Sequence, residues 1–310
     1  MEMKRKLVKQ GIRALTITLP AAWVEKNNLK AGDEVDLTEA EAALTIATEK
    51  VVSQKEITVD VRGLIPRLAD RFMARAYQKG YDKITIIFDD SETMLAIKNK
   101  VAELMGFEIL NISKNKLEIQ VISNQLNLDF DTLLRRAFLI LMDMAETCYT
   151  AWKKEDKNAL ENIFYQDFDV NKFTYFCLRD LNKSQKRMEF GRSILYYLIE
   201  SSEDLGDELK VLGKILAAVK PDQEMLSLIQ KFNEMFRLSY EFFYKPEKKK
   251  AVQAFLLNKE ITAMIENLYG KKNQQLTKAL MSLDFCCRIV YHYTTMRLDT
   301  LKELSGDVAC

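Results

Sequence analysis

Histidine is nearly absent from this 310-residue chain: His292 stands alone. A two-histidine metal site is therefore excluded, and Ser-His or Cys-His catalysis has a single candidate base. No nucleophile is set beside a base in a recognisable motif, and the chain reads as a non-enzyme. Long apolar runs are also missing. The densest stretch, residues 137–142, is closed by Arg136 and Asp143, whereas a bilayer span needs about 20 apolar residues. The opening MEMKRKLVKQG has no apolar core of the signal-peptide kind, so a cytoplasmic location is expected. The five cysteines, Cys148, Cys177, Cys286, Cys287 and Cys310, are odd in number and contain no C-x-x-C pair. They argue against a disulfide framework or thiolate zinc site and read as small buried thiols. Gly63, Gly80 and Gly106 stand singly, without a glycine-rich phosphate loop.

A strong excess of either charge is lacking too. The formal net charge is +1, unlike that of a purely electrostatic DNA binder. The distribution says more than the sum. Up to residue 30 the chain has seven basic residues (Lys4, Arg5, Lys6, Lys9, Arg13, Lys26 and Lys30) against Glu2 and Glu25, and over residues 33–50 six acids oppose Lys50 alone.

Three regions are expected, at 1–50, 55–123 and 128–304, giving a multidomain α+β chain. In the first, residues 6–8 and 14–19 have β character around a turn at Gly11, with Leu15, Ile17 and Leu19 alternating with threonines. Pro20 suits the first turn of a short helix that Asn27-Asn28 ends, and strands at 34–37 and 43–48 follow. The run RKLVKQGIRALTITLPAAWVEKNNLKAGDEVDL resembles the AbrB/SpoVT swapped-hairpin family in its basic first strand, glycine turn, T-I-T-L-P strand and L-K-x-G-D-E-V segment. That resemblance implies a β-barrel interleaved from two chains, hence a homodimer, with DNA contacted by Arg5, Lys6, Lys9 and Arg13. A segment of this size also struggles to build a core alone, which makes sharing one physically reasonable.

The second region reads as a small α/β domain: strands at 56–61 and 83–88, a helix at 64–79, a second helix from Ser91 to Gly106, and a hairpin of 107–112 with 116–122. The phrases KGYDKITI and ELMGFEI resemble a spacer domain of archaeal PhoU-like regulators; a rigid spacer and a small-ligand sensor both remain open. The third region carries six amphipathic helices, at 128–152, 156–183, 192–220, 223–244, 247–269 and 274–304, with Pro221 and Pro246 at boundaries. Three helices lie on each side of Pro221, the pattern of tandem three-helix bundles. Tyr196-Tyr197, Phe242-Phe243 and His292 read as packing residues.

The helix at 192–220 is the most informative. Leu198, Ser202, Leu205, Leu209, Leu212 and Leu216 form a core-facing stripe, and Glu200, Asp204 and Asp207 share the opposite face with Glu203 at its border. ESSEDLGDE has five acids and no base, a cluster that repels itself unless a cation or basic partner relieves it. IESSEDLGDELKVLGKIL resembles the PhoU signature L-E-R-I-x-D-x-x-x-N-I, and DFDVNKFTYFCLRDLNK resembles the preceding PhoU helix. The resemblance implies an iron or zinc site of Glu200, Asp204, Asp207, Asp167 and Asn171. It also implies regulation of phosphate uptake, either as a DNA-binding transcriptional regulator or as an adaptor on the phosphate transporter or its sensor kinase. In the second bundle Arg288, Asn258 and Thr262 replace expected acids and Asp284 alone is kept, so at most one metal site is expected.

Overall fold

The structure is a computed structural model, and it describes residues 4–12, 14–40, 43–48, 54–122, 129–183 and 191–301. The chain divides into two compact units, Met1–Lys55 and Glu56–Cys310.

In the first unit β1 (Val8–Gln10) pairs antiparallel with β2 (Ala14–Thr16), Val8 opposite Thr16. Gly11 takes φ +75° in the turn, a conformation that needs no Cβ. Helix α1 (Ala21–Lys26) follows Pro20, and the Asn27 side chain donates back to the Trp23 carbonyl at 2.7 Å, closing the helix. Strands β3 (Asp36–Ala40) and β4 (Ala43–Ala47) form a second antiparallel pair. The expected closed barrel is not formed within one chain: β1-β2 and β3-β4 are separate two-stranded ladders among the described residues. The reason is burial. No described residue of this unit is buried, and Leu7, Ile12, Leu15, Leu37 and Leu44 are all exposed, so a single copy leaves the apolar side chains of its hairpins uncovered.

The second unit begins with a four-stranded sheet in the order β5-β6-β8-β7, from β5 (Glu56–Asp60), β6 (Lys83–Ile87), β7 (Phe107–Ser113) and β8 (Lys116–Val121). β5 and β6 are parallel because α2 (Pro66–Gln78) crosses between them, and the other pairs are antiparallel. Pro66 opens α2, and Asp90 caps α3 (Ser91–Val101) by accepting from the Thr93 N–H at 2.8 Å. Ile84, Ile86, Leu117 and Ile119 meet Met73, Tyr77 and Ile97 in a closed core, with Tyr77 edge-on to Phe107 at 4.9 Å.

Six long helices complete the unit: α4 (Phe130–Lys153), α5 (Lys157–Lys183), α6 (Arg192–Ala217), α7 (Gln223–Tyr244), α8 (Lys248–Leu268) and α9 (Gln274–Leu298). They form two antiparallel triplets, α4-α5-α6 and α7-α8-α9, joined where α4 meets α7 and α6 meets α9. The joint is apolar: Phe138 of α4, Phe243 of α7 and Tyr293 of α9 pack ring against ring. The two triplets therefore share one core. No described helix is long and apolar enough to cross a membrane.

The α/β and helical segments pack as one body. Tyr175 of α5 inserts into the core of the sheet. Gly80 leaves space for Lys183: a Cβ there would lie 2.7 Å from the lysine Cγ. Cys148, Cys177, Cys286 and Cys287 are buried, as read from the sequence, while Cys310 lies outside the described residues. Phe242 and Phe243 are buried; Tyr196, Tyr197 and His292 are not, because they fall on the outward arcs of α6 and α9.

Candidate functional site

Arg5, Lys6 and Lys9 are exposed along the approach to β1 and on the strand itself. Arg13 lies outside the described residues. Lys9 thus stands on a short, fully exposed hairpin, with Arg5 and Lys6 on the segment that leads into it.

The acidic face of α6 is relieved from within the protein. Arg75 of α2 embraces Glu200 with both guanidinium nitrogens, the second at 2.8 Å. Glu203 is not at the edge of a solvated face but buried, and accepts from the Tyr175 hydroxyl at 2.9 Å. Burial pushes its carboxyl above the usual range, against the pull of that hydrogen bond. Asp204 remains exposed. Lys210, one turn beyond Asp207, places its Nζ 2.5 Å from a carboxylate oxygen of both Asp207 and Asp167. Burial works against the ammonium, but the two carboxylates outweigh it and hold the Lys210 pKa above its ordinary value. Asp167 and Asn171, on adjoining turns of α5, are both buried, and each keeps one side-chain oxygen without a donor.

These positions do not suit the expected iron or zinc. An ammonium bridges Asp167 and Asp207 where a cation would be needed, Glu200 is taken by Arg75, and among the described residues no three His, Cys, Asp or Glu groups are placed to hold a metal. Of the five residues named from the sequence, Asp167, Asn171 and Asp207 line one cleft. Glu200 and Asp204 lie outside it. On α9 Asp284 pairs with Arg288 at 2.8 Å, and on α8 the Thr262 hydroxyl bonds the Asn258 carbonyl, so the second triplet satisfies itself.

The cleft lies between α2 and α3 on one side and α5 and α6 on the other, with a volume of about 340 Å³. Arg67, Arg71 and Arg75 recur every four residues on α2 and face it together. That spacing was visible in the sequence, but nothing there said that α2 would lie against α6.

Residues 8–54 match the family described as antidote-toxin recognition MazE, bacterial antitoxin. The first unit is AbrB/MazE-like. The helical region is similar to the crystal structure of the phosphate transport system regulatory protein PhoU from Streptococcus pneumoniae, at 14% identity and a TM-score of 0.48, over 57% of this chain and 96% of that one. No curated protein matches the chain. The AbrB/MazE-like unit ends before β5, so Arg5 and Lys6 precede the matched segment and Lys9 falls inside it.

Proposed function

We propose that the chain is a non-catalytic, DNA-binding regulator that works as a homodimer, with the AbrB/MazE-like unit contacting DNA and the second unit receiving the signal. One observation carries this reading: the first unit buries none of its described residues while displaying Arg5, Lys6 and Lys9. Such a segment gains a core by interleaving with a second copy, and doing so doubles the basic surface. The phosphate-uptake signatures in α5 and α6 support phosphate-transport genes as its targets.

The test is to purify the full chain and sequence the genomic fragments it retains at physiological salt. Enrichment of phosphate-transport promoters supports the reading, and absence of any enrichment removes it. In the latter case the chain acts as an adaptor on the transporter or its sensor kinase. Exposed Phe255 and Leu256 on α8 and Met281 and Phe285 on α9 favour a protein partner for that role.

A further inference from the structure

Most charges on the walls of the α2-α5-α6 cleft have a partner: Arg75 pairs with Glu200, Lys100 with Glu103, and Lys210 is shared between Asp167 and Asp207. Two cations and two acids, Asp70 and Glu203, make no ion pair among the described residues. The cations, Arg67 and Arg71, stand one turn apart on α2, line the cleft and are exposed. Asp70 lies between them and Glu203 also lines the cleft, so the lining as a whole is balanced, five acids against five bases, and the free positive charge is local to Arg67 and Arg71. Two guanidinium forks at this spacing suit a phosphate, whose oxygens accept from both.

Across from them, α5 presents Phe164 and Phe168, edge to face at 5.5 Å. Their exposures of 49% and 41% are unusual for phenylalanines lining a cleft already hemmed by four helices. Half-exposed rings offer a stacking surface for a planar base. One turn deeper the Asn171 amide oxygen has no donor although the residue is 9% exposed, and Asp167 below it also keeps an unmatched oxygen. Buried acceptors without donors cost stability until a donor reaches them.

We propose that this cleft binds a nucleoside monophosphate whose base carries an exocyclic amino group. Arg67 and Arg71 take the phosphate, Phe168 with Phe164 takes the face of the base, and Asn171 accepts from the amino group. A volume of about 340 Å³ suits a mononucleotide. Because the cleft is walled by α2 and α3 on one side and α5 and α6 on the other, its occupant touches both halves of the second unit. It would be the signal that unit receives. The inference does not depend on DNA binding, since ligand is measured on the chain alone.

The test is calorimetric titration of the full chain with AMP, GMP and CMP, and separately with UMP, adenosine and inorganic phosphate. The amino-bearing monophosphates are expected to bind at one site per chain. Arg67→Ala with Arg71→Ala, and separately Phe168→Ala, should each weaken AMP by about tenfold or more, the first by the loss of two charge-assisted contacts and the second by the loss of a stacking contact. All three positions are exposed, and unchanged circular dichroism checks that the variants fold. UMP, which lacks the amino group, and adenosine, which lacks the phosphate, should bind more weakly than AMP. No binding of AMP, GMP or CMP at roughly millimolar concentration, AMP binding unaltered by the arginine pair, or inorganic phosphate binding as tightly as AMP would each overturn the assignment.

Discussion

Arg179 of α5 and Asp82, just before β6, are joined in a buried ion pair, 6% and 2% exposed. The same guanidinium donates to the carbonyls of Tyr77 at 3.0 Å and Tyr81 at 2.6 Å and lies 4.8 Å from the centre of the Phe107 ring. Asn182 adds a bond to the Gln78 carbonyl at 2.9 Å, and Lys183 a second contact to Asp82. Helix α5 thereby adds donors to the carbonyls at and just beyond the end of α2, where Tyr77 already accepts from the Gly80 N–H. The α/β segment is fastened to the bundle through its backbone.

Arg179→Leu should lower the stability of the second unit by about 3–5 kcal/mol, because Asp82 stays buried without its main partner. Arg179→Lys should recover little, since one ammonium cannot reach two carbonyls and a carboxylate as the planar fork does. The double variant Arg179→Leu with Asp82→Asn should cost less than the two single changes summed. Urea unfolding of the parent, the three single variants and the double variant measures all three expectations.

Glu203 sets a pH dependence of definite sign. Its folded pKa is raised by burial, so its contribution to stability is complete below the usual glutamate pKa of about 4.3 and is lost as pH rises through the folded value. Glu203→Gln keeps an acceptor for the Tyr175 hydroxyl and cannot ionise. The variant should therefore gain stability relative to the parent as pH rises from about 4 to 8. A parent-minus-variant difference in thermal midpoint that is flat with pH would refute this.

Much of the fold was legible because it rests on short-range signals. The six long helices fall where apolar periodicity and Pro221 and Pro246 placed them, and the sheet strands lie within a residue or two of the alternating runs. The acidic face of α6 was legible as a cluster, and so was its need for a counter-charge. What supplies that charge was not: Arg75 is 125 residues away from Glu200, and periodicity carries no information about which helices meet. Lys210 was within reach of a sequence reading, since it follows Asp207 at the i,i+3 spacing that brings side chains together. Glu203 was misplaced for the same reason as Arg75. Its arc of α6 is outward within the bundle, and it becomes interior because Tyr175 and the α/β segment cover it.

Gly213 lies where α5 and α6 pack closely. A Cβ there would lie 2.9 Å from the Ile163 Cδ1 and 3.1 Å from the Leu160 carbonyl oxygen. Alanine favours a helix interior over glycine by about 1 kcal/mol, but the carbonyl is backbone and cannot turn aside. Gly213→Ala is expected to destabilise by about 1–3 kcal/mol net. Adding Ile163→Val, which removes the methyl in the way, should restore part of the loss in chemical unfolding.

DNA binding, where measured, should run through Arg5, Lys6, Lys9 and Arg13. Each phosphate neutralised releases condensed counterions, so the log of affinity should fall against the log of salt with a slope of about −0.9 per contact. Replacing all four with alanine should flatten that slope and weaken all DNA sequences alike, because phosphate contacts carry no base information. Electrophoretic mobility titrations at several salt concentrations give both quantities. An unchanged slope places the interface elsewhere.

The exposed hairpins of the first unit lead to the final prediction, which concerns assembly. Leu7, Val8, Ile12, Leu15, Ile17, Leu37 and Leu44 are all exposed within a single chain. Apolar surface of this density is worth roughly 25 cal/mol per Å² when covered, and β1 and β2 leave strand edges that a second copy can pair. The second unit has its own core and needs no such help. Deleting residues 1–55 should therefore leave a folded second unit, sheet and helices together, that sediments as a monomer under conditions where the full chain sediments as a dimer. Leu15→Lys with Leu44→Lys should have the same effect on the intact chain, since charges placed on the shared face oppose its burial without touching the bundle. If the truncated chain dimerises as tightly as the parent, the helical unit holds the copies together. The first unit would then have to find its missing core in a partner other than itself.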